Sequence, residues 1–173
     1  MEIILAAALL PAIILMVYVY KHDKIEKEPF VLLLTLFVFG ALSCVPAGIL
    51  EDLFSEVLDS MNIQDNQTYY IIMCFGIVAC SEEGAKLFFL KSKTWRCPDF
   101  NYTFDGLLYS VCVGLGFAGL ENIMYVMDYG FGVVISRGLL SVPGHCTFAI
   151  FMGLFYSRAK FHSTYGNKTR AGI

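Results

Sequence analysis

Residues 81–86 (SEEGAK) place three charged side chains inside an apolar stretch, 69–90, that has the length of a membrane span. Each charge at the centre of a membrane helix costs about 2.5–3.5 kcal/mol on insertion scales. Charged groups at that depth usually face a bundle interior or a water-filled cavity, where they mark sites of transport or chemistry. The hexamer is therefore predicted to be the functional centre of the chain, with the rest as its housing.

The composition is that of a membrane protein. Of the 173 residues, 57% are hydrophobic and 16% are charged, whereas a soluble domain carries about 25% charged residues. The apolar runs are continuous rather than alternating, which favours helices over a β-barrel. The net charge is −3 without a basic tract, so the lipid bilayer is an expected partner and nucleic acid is not. The sequence predicts an all-α, polytopic transmembrane helix bundle with about five spans.

The predicted spans belong to a single transmembrane domain over residues 1–158. They cover residues 3–20, 30–50, 69–90, 106–127 and 138–157, and a polar, basic tail follows at 159–173. A retained first helix is favoured over a cleaved signal peptide, because the only early charge is Glu2. Loops after the first, third and fifth spans hold 3, 3 and 4 Lys or Arg residues, whereas the opposite loops hold only Arg137. The N-terminus is therefore predicted outside and the C-terminus in the cytoplasm.

Two adjacent carboxylates and a lysine give the hexamer its chemistry. Glu82 and Glu83 lie about 100° apart on a helix, so both can reach one cavity, and Lys86 lies one turn further on. Two crowded carboxylates do not both ionise easily in a low dielectric, so one is expected to hold a proton. A carboxylate beside a carboxylic acid suits general base and general acid work on water.

Two other predicted spans contribute Glu121 and His145, which can ligate a metal, orient a water or stabilise an oxyanion. Asn122 is a further hydrogen-bond donor. At 1.5 Å per residue, Glu121 and His145 lie about 10 Å from the outer ends of their spans and Glu82 about 20 Å. Their convergence would need helix tilt or a long cavity, nearer the outer half of the membrane. The alternative is a buried polar network that only locks the helices together.

A family resemblance becomes specific at these residues. The segment 82–86 resembles the E-E-x-x-K motif of the PrsW family of intramembrane proteases. Residues 105–109 and 114–122 resemble the next block of that family, in which Phe117 and Glu121 match F-x-x-x-E, and 137–153 resembles the block after it. The similarity extends in order and spacing from about residue 70 to 158. The family belongs to a wider group with CAAX-type prenyl-protein proteases and bacteriocin-processing relatives.

The resemblance implies an integral membrane peptidase of the bacterial cytoplasmic membrane. Such an enzyme makes the first, site-1, cut in a membrane-anchored anti-sigma factor, on the extracytoplasmic side and under envelope stress. The expected substrate is therefore a single-span membrane protein. The family is classed as metallopeptidase, so zinc is a candidate cofactor. Related enzymes are instead argued to use a glutamate-activated water without metal, and both mechanisms stay open.

The predicted site residues fall into three overlapping groups. The catalytic set is Glu82, Glu83, Glu121 and His145; the supporting or substrate-binding set is Lys86, Asn122, Phe117 and Arg137; the metal set is Glu83, Glu121 and His145. In this interpretation Glu82 or Glu83 is the general base for water, with its neighbour as proton donor or metal ligand, and Lys86 keeps a glutamate ionised.

Two alternatives to a protease remain. Family members usually carry one more helix, with a histidine followed by Asn or Asp, and His162 in the tail does not match it. A non-catalytic member that binds membrane substrates is therefore one alternative. An ion or proton transporter is the other, although no inverted repeat relates the two halves of the chain.

Overall fold

The computed structural model describes residues 2–22 and 27–165, which are helical apart from short connections. Five long helices follow one another: α1 (Glu2–His22), α2 (Phe30–Ser60), α3 (66–94), α4 (Thr103–Tyr129) and α5 (133–165). Helix α3 comprises Asn66–Ile71, a π-helical stretch Ile72–Val78, and Ala79–Thr94. Helix α5 comprises Val133–Ser136, a π-helical stretch Arg137–Ser141, and Val142–Tyr165. The predicted all-α class is confirmed.

Within the described residues, three helices are long and apolar enough to cross a membrane: Phe30–Ser60, Thr103–Tyr129 and Val133–Thr164. A shorter apolar helix covers Ala6–His22. The chain thus forms a polytopic membrane helix bundle, whereas membrane spans at 3–20 and 69–90 remain predictions. Of the predicted tail, residues 159–165 continue α5 and residues 166–173 lie outside the described part.

The helices extend beyond the apolar runs from which they were predicted. Helix α2 continues through Glu51 to Ser60, because Glu and Leu remain good helix formers after the apolar run has ended. Helix α5 begins at residue 133 rather than 138. Hydrophobicity marks the part of a helix that suits lipid, whereas backbone hydrogen bonding continues past it.

Helix α4 lies at the centre of the bundle. Its apolar window is 72% buried, compared with 39% for α2 and 17% for α5. Small residues permit this burial: a Cβ on Gly116 would overlap the Phe37 carbonyl, and one on Gly40 would overlap the Val113 carbonyl. Helices α2 and α4 therefore touch backbone to backbone, a close approach that small residues permit between membrane helices.

Helix α5 packs against the opposite side of α4 by the same device. A Cβ on Gly114 would lie 2.7 Å from the Ala149 Cβ and 3.3 Å from the His145 carbonyl oxygen. One on Gly153 would lie 2.6 Å from the Gly106 carbonyl oxygen. Glycine at these crossings therefore holds His145 beside α4.

Aromatic side chains close one end of the bundle, which we call the aromatic end (Glu28, Thr94, Phe100, Tyr109 and Tyr156). Phe100 stacks on Tyr156 with ring centroids 5.5 Å apart and meets Tyr109 edge-on at 5.6 Å. The Tyr109 hydroxyl donates to Glu28 Oε2 at 2.5 Å. The hydroxyls of Tyr156 and Thr94 lie 2.8 Å apart. All five side chains are buried, so this end is fixed by packing and satisfied polar groups.

Candidate active site

Lys86 lies at the centre of the polar residues buried between α3, α4 and α5. Its Nζ donates to Glu82 Oε2 at 3.0 Å and to Glu83 Oε1 at 2.7 Å, and lies 3.1 Å from His145 Nδ1. The two glutamate contacts follow from the i,i+4 and i,i+3 spacing of the motif, whereas His145 comes from α5. The Lys86 side chain is 2% exposed. Because an ammonium has three N–H donors, each of them has a partner here.

The tautomer of His145 follows from its neighbours. An ammonium can only donate, so Nδ1 of His145 accepts from Lys86. The proton of the neutral imidazole then lies on Nε2, which donates to Glu121 Oε2 at 3.0 Å. The ring also packs on Phe117, with centroids 5.4 Å apart, and Lys86 Nζ lies 3.8 Å from the centre of the Phe117 ring. Both nitrogens of His145 are therefore engaged.

Arg137 contacts Glu121, the hydrogen-bond partner of His145, and also contacts Asn122. Its Nη2 donates to Glu121 Oε2 at 2.5 Å and its Nε to Asn122 Oδ1 at 2.8 Å. The guanidinium lies 3.7 Å from the centre of the Tyr125 ring. Asn122 Nδ2 donates to the Ala8 carbonyl at 3.3 Å, so this amide joins α1 to Arg137. A role for Asn122 in placing substrate or water remains a prediction.

The structure thus connects the residues that the sequence singled out. We call this set the charged network: Glu82, Glu83, Lys86, Glu121, Asn122, Arg137 and His145. Phe117 packs against its centre. With ionised carboxylates and a neutral histidine, the network carries two positive and three negative charges. This near balance offsets much of the cost of removing the charges from water.

The helices that carry Glu82 and His145 begin earlier than the spans predicted for them. His145 lies twelve residues into α5, about 18 Å at 1.5 Å per residue, and Glu82 sixteen residues into α3, about 24 Å. The expected mismatch in depth therefore shrinks to a length that side chains span. His145 Nδ1 lies 3.7 Å from Glu82 Oε2.

An open groove of about 700 Å³ lies between α3 and α5 and reaches the charged network. Its lining is largely apolar, and Glu83 is the only member of the network that lines it. The Glu83 side chain is 29% exposed, compared with 14% for Glu82. Gly84 forms part of the wall, and a Cβ there would meet no atom within 4 Å. The open carboxylate of the network is therefore Glu83.

Sequence reasoning missed Glu51. It follows the apolar run of α2 and lies outside the span predicted for residues 30–50, in a polar segment whose apolar residues have the spacing of an amphipathic interfacial helix. In the structure it is partly buried and close enough to interact electrostatically with Glu82 and Glu121. Cys44 and Ala47 contact the Phe117 region of α4. The helical spacing of 44, 47 and 51 was the available signal, because it places Glu51 on the same face.

The network also contains donors of the kinds that bind a divalent metal. Glu82, Glu83 and His145 each offer one ligand atom, and these atoms lie within 4.8 Å of one another. Carboxylate and imidazole are zinc ligands, so the donor types fit. Glu121, predicted as a third ligand, hydrogen-bonds the other nitrogen of His145, which is a frequent arrangement around metal-binding histidines.

Comparison with known proteins finds a family model and relatives that match most of the chain. A family model described as "PrsW family intramembrane metalloprotease" matches residues 28–173. Protease PrsW of Oceanobacillus iheyensis is 32% identical over 165 residues, which cover 95% of this chain and 73% of that protein. Protease PrsW of Clostridioides difficile is 32% identical over 167 residues (94% and 67%), and that of Bacillus subtilis 30% over 158 residues (91% and 69%). No solved structure matches the chain.

A buried set of carboxylates, a histidine and a lysine that opens to an apolar groove is the kind of site expected of a membrane-embedded hydrolase. The chain belongs to the PrsW family of intramembrane proteases. It is therefore a membrane-embedded protease.

Proposed function

We propose that this protease makes the first, site-1, cut in a single-span membrane protein of the anti-sigma factor type, using a water activated by Glu83. The observation that carries the proposal is that the charged network opens to the groove through one carboxylate. Its other members are engaged with one another. A base at the wall of an apolar, open groove suits hydrolysis of a peptide bond in a membrane segment.

The geometry distinguishes the two adjacent glutamates. Of the two carboxylate oxygens of Glu83, Oε1 accepts a hydrogen bond from Lys86. Oε2 has no hydrogen-bond partner among the described residues, so it can accept from a water in the groove. Glu83 then takes a proton as the water oxygen attacks the carbonyl carbon, and returns it to the amine when the C–N bond breaks. Glu82 is more buried and shares the Lys86 ammonium, so it supports Glu83 rather than meeting substrate.

The cations and the histidine have electrostatic roles in this proposal. Lys86 lies 2.7 Å from Glu83 and is the nearest positive charge to the oxyanion that forms beside it, which it would stabilise. Glu121 orients His145 through Nε2, and Arg137 in turn fixes Glu121. Removal of any one of these charges would disturb the positions of the others.

A metal remains compatible with the same residues. Glu82, Glu83 and His145 are the donors that would hold it, and a bound divalent ion supplies Lewis-acid polarisation of a carbonyl oxygen. Zinc is the proposed ion on the basis of donor type. The proton transfers described for Glu83 depend on this chain's own side chains.

The proposed location is the bacterial cytoplasmic membrane, with the N-terminus outside and the C-terminus in the cytoplasm. The distribution of Lys and Arg among the loops supports this orientation, and relatives named Protease PrsW are bacterial. The orientation places the first residues of α3 and α5 on the outer side. Cleavage on the extracytoplasmic side of the membrane is part of the proposal because the family resemblance implies it.

The proposal is tested by reconstituting the chain in liposomes with a panel of single-span membrane proteins, anti-sigma factors among them, tagged at both ends. Wild type should release fragments of at least one panel member, and mass spectrometry should place the cut in its outer half. Glu83→Gln should release none, whereas Glu56→Gln, a change to an exposed glutamate of α2, should cut like wild type. Binding of a panel member without fragments would favour the non-catalytic alternative, and ion flux in protein-only liposomes would favour a transporter.

A further inference from the structure

At one point in the charged network, a cation lies between three acceptor atoms, and Lys86 supplies that cation. Its Nζ lies 2.7–3.1 Å from Glu82 Oε2, Glu83 Oε1 and His145 Nδ1. These three residues are also the group that could hold a metal ion. We propose that the Lys86 ammonium and a divalent metal ion are alternative occupants of this one position, so that metal binds only when the ammonium leaves.

The two cations would compete for the lone pair of His145 Nδ1. Metal ligands must present unprotonated oxygen or nitrogen to the ion. His145 has one such nitrogen, Nδ1, because its Nε2 carries a proton and donates a hydrogen bond to Glu121. That lone pair accepts from Lys86. An ammonium has no lone pair of its own, so Lys86 cannot join the ligand set while it is protonated. Occupation by one cation therefore excludes the other.

The distances from Nζ to the three acceptor atoms are those of hydrogen bonds to an ammonium, not those of metal–ligand bonds. Zinc binds oxygen and nitrogen ligands at about 2.0–2.2 Å, whereas the three donors lie 2.7–3.1 Å from Nζ. They would have to draw inward around a metal. A divalent metal at this point would also meet the buried ammonium of Lys86, and the repulsion between two cations is strong in a low dielectric.

Lys86 is held in this position by more than its ion pairs. Its side chain is 2% exposed, and Nζ lies 3.8 Å from the centre of the Phe117 ring, a cation–π contact that favours the charged amine. The free energy of metal binding must therefore exceed the loss of two ion pairs and this ring contact. Lys86 sets how readily the proposed protease site takes up a metal.

Metal titration of the detergent-purified chain, freed of metal by a chelator, tests the proposal. Lys86→Met keeps the length of the side chain without its charge. It should bind one equivalent of Co²⁺ or Zn²⁺ at least about tenfold more tightly than wild type, because two buried carboxylates then lack their cation. Lys86→Arg retains the charge and should resemble wild type. Glu83→Gln added to Lys86→Met should abolish the gain. Circular dichroism checks that each variant is folded.

A second measurement uses the wild-type chain and covers the case in which Lys86→Met does not fold. An amine-reactive reagent followed by mass spectrometry reports the accessibility of each lysine. Saturating Zn²⁺ should raise the labelling of Lys86, whereas the exposed Lys91 and Lys93 should not change. Zinc that binds to these donors without exposing Lys86 would overturn the proposal, as would equal affinity of wild type and Lys86→Met, or no binding by either.

Although the inference concerns the proposed catalytic site, both measurements are independent of proteolysis. If the wild-type chain cuts no substrate but Lys86→Met gains metal affinity, the competition stands and the proposed function fails. If cleavage is observed but metal affinity does not depend on Lys86, the proposed function stands and the competition fails.

Discussion

The bundle buries carboxylates in two regions, and the two regions treat them differently. At the aromatic end, Glu28 is 4% exposed and accepts from the Tyr109 hydroxyl at 2.5 Å, among stacked rings. In the charged network, Glu83 is 29% exposed and borders a groove of about 700 Å³. The first carboxylate is enclosed by packing, whereas the second is held by a lysine on one side and left open on the other.

The difference separates a structural polar group from a candidate catalytic one. A buried carboxylate with satisfied partners in a packed setting stabilises one arrangement of helices. A carboxylate that is fixed by neighbours but reaches open space can also bind water. Variants in the two regions should therefore fail in different ways: variants of the Glu28–Tyr109 pair in stability, and variants of Glu83 and Gly84 at the groove in cleavage.

The largest expected effect is a loss of stability when the positive charge of Arg137 is removed from the charged network. Arg137→Met removes the partner of Glu121 and Asn122, and breaking a buried ion pair costs about 3–5 kcal/mol. We expect the free energy of unfolding to fall by about 3 kcal/mol, the lower limit of that range because Arg137 is 16% exposed. Denaturant unfolding in detergent measures it, with Arg158→Met, a change to an exposed residue, as control. Equal stability of the two variants would contradict the importance of Arg137.

A smaller effect is expected at the aromatic end. Tyr109→Phe removes one hydrogen bond to the buried Glu28, and a hydrogen bond to a charged group contributes about 1.5–3 kcal/mol. Thermal unfolding should show a lower Tm, whereas Tyr70→Phe, at an exposed ring, should leave it unchanged. Cleavage at permissive temperature should stay within about twofold of wild type, because Tyr109 itself does not line the groove. Loss of cleavage without loss of stability would break the comparison.

The groove should show the opposite behaviour. Gly84→Leu fills open space at the wall, since a Cβ there meets no atom within 4 Å. We expect kcat/KM for a membrane substrate to fall about tenfold, roughly 1.4 kcal/mol. Stability should be equal or higher, because leucine favours a helix over glycine. Gly48→Leu is the matched control, because a Cβ at Gly48 is equally free but lies outside the groove. Unchanged cleavage by Gly84→Leu would exclude the groove as the substrate path.

The smallest effect is expected at the start of α3, where Asp65 accepts from the backbone N–H groups of Gln67 and Thr68 and from the Thr68 hydroxyl. The Thr68 side chain first, and then the backbone donors, lower the pKa of Asp65. The contribution of Asp65 to stability is therefore present above its ordinary pKa and lost as pH falls through the lowered value. The difference in Tm between wild type and Asp65→Ala should shrink below about pH 3.9. A difference independent of pH would contradict the role of this carboxylate as a cap.

The fold class and the members of the network could be predicted from the sequence, because both depend on residue type. Apolar runs indicate helices in lipid. Charged residues such as Glu82 and Lys86 inside such runs are energetically costly, and they therefore indicate a functional site. The lengths of the helices could not be predicted in this way. Helix α5 begins five residues before its predicted span, so the contact of His145 with Lys86 at 3.1 Å could not be deduced by counting from the apolar run.

The orientation of each polar side chain also could not be predicted from the sequence. Glu82 and Glu83 are equivalent in the motif, and only packing against α5 shows that Glu83 lines the groove. Asn122 is adjacent to Glu121 in sequence, yet its amide contacts Ala8 and Arg137. Such distinctions depend on which neighbouring helix covers which face, and side-chain contacts over long sequence separations determine that.

The most direct test of the central claim compares Glu83→Gln with Glu82→Gln in one cleavage assay. Both substitutions remove one carboxylate charge beside Lys86, but only Glu83 lines the groove. If Glu83 activates the water, Glu83→Gln should lower the cleavage rate by at least about 100-fold, and Glu82→Gln should lower it less. A Glu83→Gln protein that cuts at the wild-type rate would contradict the assignment of Glu83 as the base.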